Sequence, residues 1–185
     1  MIRPQIAWII LGVMMSAATL GAVELPTPLK EVKPEPTLVG AATLHWFGLH
    51  VYDVALYAPE TAYTTNGTAV LSIRYNMAVK RQRLLDTARK EWGRMGIGTK
   101  EQREAWLQRL ETIWLDVKSG ESLTAFRQQA GATRFYFGDK LLGEVADPEF
   151  GPAFFAIWLG ADCSYPKVRD GLLGVKKEKR KDRER

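Results

Sequence analysis

The chain has 185 residues, enough for one domain with a buried core and short for two. It carries 26 Lys and Arg against 21 Asp and Glu, but residues 176–185 hold seven basic and three acidic side chains and Arg3 adds one more positive charge. Residues 23–175 therefore hold 18 of each sign, which excludes a nucleic-acid footprint across the body, and the single Cys163 excludes an intrachain disulfide and any Cys-cluster metal site.

In chain order, residues 1–22 read as an export signal. Arg3 gives a positive start, IAWIILGVMM an apolar segment and SAATLGA small residues for cleavage, so the expected location is the periplasm. The alternative is an uncleaved membrane anchor, because residues 6–23 form an uncharged run long enough to approach a bilayer span. Residues 23–37 hold four prolines and are expected to be an extended lead-in. From Leu38 to Tyr57 the pattern is β-rich with a break at Gly48, which predicts a hairpin. A loop containing Asn66-Gly67 follows.

Residues 70–79 alternate Leu71, Ile73, Tyr75 and Met77 against Val70, Ser72, Arg74 and Asn76, the period of a half-buried strand. Leu84, Leu85, Ala88 and Trp92 recur at helical spacing over 80–95, and Gly96 and Gly98 end that helix. Thr99 with Gln102 forms a capping box for a second helix, whose expected apolar stripe is Ala105, Trp106, Leu110, Ile113 and Trp114. LTAFRQQA, TRFYFG and KLLGEV read as a three-stranded meander. Asp147 is expected to cap a helix that starts at Pro148 and stops at Gly160, with Phe150, Phe154, Ile157 and Trp158 in one stripe widened by Phe155 and Leu159. A last short helix runs from Ser164 to Gly174. Strands beside strands and helices beside helices predict an α+β fold over 38–174, an antiparallel sheet covered on one face by helices. The charged tail, 175–185, is expected to be disordered; the alternative is a weak contact with an anionic membrane surface.

No phosphate loop, nucleophile elbow or metal-ligand spacing is present. His45 and His50 are the only histidines, and strand parity places Asp53 on the face opposite His50. The polar residues that stand out lie on strands: His45, Tyr52, Arg74, Asn76, Arg134 and Tyr136. An Arg on a half-buried strand near a Tyr suits a carboxylate-headed apolar ligand, because guanidinium offers a fixed fork of donors. Taken singly, Arg74 and Arg134 are more simply read as facing solvent. Arg74 is the expected anchor, with Tyr52 and His45 lining the mouth and Asn76 and Arg134 completing the ligand-binding set.

LVGAATLHWFGLHVYDVALYAP, then RFYFGDKLLGEVADPEFGPAFFAIWLG and a closing LLG, resemble the bacterial branch of the chalcone isomerase-like family over roughly residues 37–174. The resemblance implies an open-faced β-sandwich, a large antiparallel sheet covered by helices. It also implies three possible activities: ring closure of chalcones by an Arg with Thr and Tyr hydroxyls, fatty-acid binding through Arg and Tyr, or, in some members, haem binding. The glycine-rich lead to the catalytic Arg is matched by Gly40-Ala41-Ala42-Thr43, but the Arg position falls on Leu44 and the Thr position on Tyr52. Losing the cation at the oxyanion removes several kcal/mol of transition-state stabilisation, so an efficient chalcone isomerase is not expected. The leading expectation is an exported, non-catalytic binder of a fatty-acid-like ligand with no cofactor. The alternatives are an isomerase or lyase of another substrate, and haem binding through His45 or His50.

Overall fold

The computed structural model describes residues 23–59, 62–129 and 131–175. The signal or anchor expected at 1–22, and nearly all of the charged tail, lie outside them. Six strands form one sheet in the order of the chain, each antiparallel to the next: β1 (Thr37–Trp46), β2 (Leu49–Ala58), β3 (Ala69–Tyr75), β4 (Ser122–Arg127), β5 (Thr133–Phe137) and β6 (Lys140–Val145). The β1–β2 turn is made by Phe47 and Gly48, both with positive φ (48° and 79°), the backbone hand that two-residue hairpins favour.

Between β3 and β4 the chain leaves the sheet for α2 (Arg81–Met95) and α3 (Lys100–Ile113), and after β6 it forms α4 (Phe150–Leu159) and α5 (Pro166–Leu172). All four pack on one face. The α+β architecture expected from the element order is therefore present. Strand alternation selects the residues under the helices: Leu44, Tyr52, Val54, Leu56, Leu71, Ile73, Tyr75, Leu123, Ala125 and Phe135 join Trp92, Trp106, Leu110, Phe150, Phe154 and Phe155 in the main core. The capping box forms as read, with Thr99 Oγ1 accepting from Gln102 N and Gln102 Oε1 accepting from Thr99 N.

Three local expectations are corrected. In α3 the buried stripe is Trp106, Leu107, Leu110 and Ile113, continued by Trp114, which is buried in the main core at the C-cap, whereas Ala105 is exposed. A broad stripe fixed the helix but not which edge of it turned inward. Asp147 does not cap a helix starting at Pro148. Its Oδ1 accepts from Glu149 N and its Oδ2 from Trp106 Nε1, so the acid closes a turn and pins α3, and α4 starts at Phe150.

The proline-rich lead-in is not merely extended. It contains a one-turn helix, α1 (Thr27–Lys30), tied to the β5–β6 turn where Thr27 N and Oγ1 donate to the Asp139 carboxylate. Val23 and Leu29 pack with Ala55, Tyr57, Val70, Phe126 and Tyr136, a second small core on the outer face of the sheet. Burying those apolar side chains gives the outward-facing rings of β4 and β5 a cover, which the proline count alone did not indicate.

Candidate functional site

The helix side of the β1–β2 hairpin holds the positions that the family resemblance marks. Leu44 and Tyr52 are cross-strand partners, 8% and 9% exposed, and both belong to the core under α4. Trp158, half-buried on α4, donates its Nε1 to Tyr52 Oη at 3.1 Å. Tyr75 meets Tyr52 edge-on at 6.1 Å between ring centroids, and Phe154 contacts Trp158 at 5.2 Å. Burial pushes the Tyr52 phenol well above the ordinary tyrosine range, against the lowering hydrogen bond from Trp158, so the hydroxyl is neutral at physiological pH. This corner is an apolar, aromatic interlayer with one neutral polar pair at its rim. Leu44, where the resemblance places the catalytic Arg, adds no charged side chain to it.

The five residues expected to bind a ligand divide between the two faces. Tyr52 lies on the helix side. Arg74 is exposed on the outer face, because its neighbours Ile73 and Tyr75 point into the main core. Arg74 and Tyr52 therefore cannot hold the same headgroup. Arg134 also faces outward, at the other end of the sheet, and its Nε donates to Glu144 Oε2 at 3.2 Å.

His45 and Asn76 come together with three residues that were not in the expected set. Asp53 Oδ1 accepts from Thr43 Oγ1 at 2.6 Å and lies 2.8 Å from His50 Nε2; Asp53 Oδ2 accepts from Asn76 Nδ2 at 3.0 Å. The His45 ring stacks on that of His50, 5.0 Å away. This cluster borders an open concavity of ≈ 420 Å³ on the hairpin. It corrects the parity argument that separated Asp53 from His50. The register shifts from Leu44↔Tyr52 to His45↔His50, leaving Val51 as an extra residue on β2, and the bulge turns His50 onto the face of Asp53. No composition signal marks a bulge of this kind.

The cluster has a pH consequence. Burial alone would raise the Asp53 carboxyl, but hydrogen bonds from Thr43, Asn76 and His50, with the His50 charge, outweigh it and hold the group below its ordinary value. A depressed folded-state value contributes stability above the unfolded carboxylate range, near 4, and that contribution is lost as pH falls through the folded value. Asp53→Asn should therefore lower the unfolding free energy by about 1–2 kcal/mol at pH 7, with the gap to wild type closing in urea titrations repeated near pH 3.

The Nε2 of His50 is not free to serve as an axial haem ligand. That nitrogen is engaged by Asp53 and Asn76, whereas an axial ligand must present a free nitrogen, and the His45 ring is stacked against the His50 ring. Among the described residues no three His, Cys, Asp or Glu side chains converge as metal ligands.

Sequence reading also missed Arg127, buried on the helix side at the end of β4. Its alternation with Leu123 and Ala125, which place it on the core face, was the available signal.

Comparison with known proteins agrees with this architecture. A protein of Haemophilus influenzae described as uncharacterized is 26% identical over 142 residues, covering 75% of this chain and 68% of its own. The crystal structure of a fatty-acid binding protein of Arabidopsis thaliana superposes with a TM-score of 0.58 at 9% identity, covering 77% of this chain and 88% of that one, a likeness of fold. The family model described as chalcone isomerase-like matches residues 17–174. The chain belongs to the chalcone isomerase-like family.

Proposed function

We propose that the protein is a non-catalytic binder of a small apolar, carboxylated ligand such as a fatty acid, held between the sheet and α4. The observation that carries this reading is Leu44. Where the resemblance calls for the guanidinium of an isomerase, a buried leucine faces a neutral tyrosine, which suits an apolar chain and offers nothing to a developing enolate. The aromatic lining from Tyr75 through Phe154 to Trp158 supports it, as does the apolar hairpin tip, where Trp46, Phe47 and Leu49 stay exposed beside the rim. The fatty-acid binding named for the Arabidopsis structure is consistent with such a use of the fold. Export to the periplasm, supported by the apolar segment at residues 6–15, is part of the same proposal.

A ligand that binds only the folded state raises the melting temperature by mass action, by about 2.7 kcal/mol at one hundred times its dissociation constant. For a domain of this size that is a rise of roughly 5–10 °C with dodecanoate to octadecanoate, and chalcone should not be turned over. No rise with any of these acids, or measurable chalcone turnover, would refute the reading.

A further inference from the structure

Among the described residues, three buried side-chain polar atoms have no hydrogen-bond partner: Trp114 Nε1, Arg127 Nη1 and Thr133 Oγ1. All three can donate. All belong to the layer under α4, since Trp114 packs on Phe154, and Arg127 and Thr133 are cross-strand partners beneath Gly151 in the first turn of that helix. A Cβ at residue 151 would stand 2.5 Å from Arg127 Cδ and 2.8 Å from Thr133 Oγ1.

Arg127 is 2% exposed and no carboxylate among the described residues pairs with it. Its Nε donates to the Gly67 carbonyl at 2.9 Å, and Nη2 donates to Gly67 O at 2.7 Å and Thr64 O at 3.2 Å. Its Cζ lies 4.8 Å from the centre of the Phe155 ring and 5.8 Å from that of Tyr63. Carbonyls and ring faces offset part of the cost of burying a cation, but a buried charge with no counter-ion among the described residues remains costly. Among the described residues the site has no acceptor with negative charge. What surrounds it is aromatic.

We infer that Arg127 Nη1 and Thr133 Oγ1 receive the carboxylate of an apolar acid, whose chain then runs along the Phe154–Phe155 face of α4. The inference rests on the apolar-ligand reading above and moves its anchor from Arg74, outside, to Arg127, inside. Lysine would not replace this residue well, because the ring contacts and the three hydrogen bonds to two carbonyls use the planar fork.

The test is binding of carboxyl-13C-labelled hexadecanoate to the full chain, followed by NMR of the carboxyl carbon. The bound carboxylate should stay ionised well below the pH at which the free acid protonates, and methyl hexadecanoate should fail to compete. Arg127→Met should weaken binding roughly tenfold or more and Thr133→Val about threefold, as expected for losing a charged and a neutral hydrogen bond. If Arg127→Met fails to fold, Thr133→Val, which exchanges a buried hydroxyl for a methyl of similar shape, decides the question with the ester competition. Unchanged affinity in Thr133→Val together with equal competition by the ester overturns the anchor and leaves the apolar-ligand reading standing. No binding of hexadecanoate to wild type overturns both. A melting-temperature rise with acetate or inorganic phosphate but none with hexadecanoate also overturns it, because the site then takes a free anion.

Discussion

Replacing Trp92 with alanine should lower the unfolding free energy by about 4 kcal/mol, the largest effect expected of a single side-chain truncation in this chain. Trp92 is fully buried on α2, and its indole is the piece that joins three helices. It meets Trp106 of α3 at 5.3 Å and Phe150 of α4 at 6.0 Å, both edge-on, and its Nε1 donates to the Ala153 carbonyl at 2.9 Å. Truncation removes the aromatic surface, opens a cavity among rings that cannot close over it, and takes one donor from α4. In urea the midpoint should fall while the slope stays constant, which separates lost stability from a change in the unfolded chain. Trp92→Phe should recover about half the loss, since it keeps an edge-on ring but not the indole N–H. A loss below about 1 kcal/mol for Trp92→Ala would show that α2 and α4 are not held together in this way.

Gly40→Val should cost about 3 kcal/mol, at the upper end of overpacking effects. A Cβ at residue 40 would stand 2.6 Å from the Leu172 carbonyl oxygen and 2.9 Å from its carbon, and closer still to the Gly171 oxygen. These are backbone atoms of α5, which cannot rotate aside as a side chain can. Across the same contact, a Cβ at Gly171 would stand 3.0 Å from Ala41 O and Ala42 Cβ, so the helix and β1 approach through glycine on both sides. The variant must push α5 away from the hairpin. Thermal unfolding with a control at Gly120, where a Cβ would meet nothing within 4 Å but φ is 89°, separates a packing cost from a backbone cost. An equal loss at both positions would contradict the packing account.

Much of the fold was readable because it depends on periodicity. The alternation around Ile73 and Tyr75, the helical spacing of Leu85, Ala88 and Trp92, and the Thr99–Gln102 capping box each follow from local geometry that residue types report directly. The rest depends on long-range contacts. Val51 is a bulge only because β1 pairs one residue short, Asp147 closes a turn because Trp106 reaches it from α3, and the lead-in folds onto the sheet because Tyr57, Phe126 and Tyr136 need a cover. The candidate site suffered most from this. Arg74 stood out because its strand was regular, yet regularity is what sends it outward between Ile73 and Tyr75. Arg127 stood at the end of a short strand, before a polar run, and its burial is set by Gly151 of α4 and the carbonyls of Thr64 and Gly67, distant in the chain.

In the proposed function the layer between the sheet and α4 holds a carboxylated apolar molecule and performs no chemistry on it. Native mass spectrometry of the protein purified without detergent tests this most directly. The expected spectrum shows a single one-to-one adduct whose extracted mass is that of an intact long-chain acid, displaced by added hexadecanoate. Bare protein both before and after equilibration with hexadecanoate, or recovery of the acid as a converted product, would contradict it.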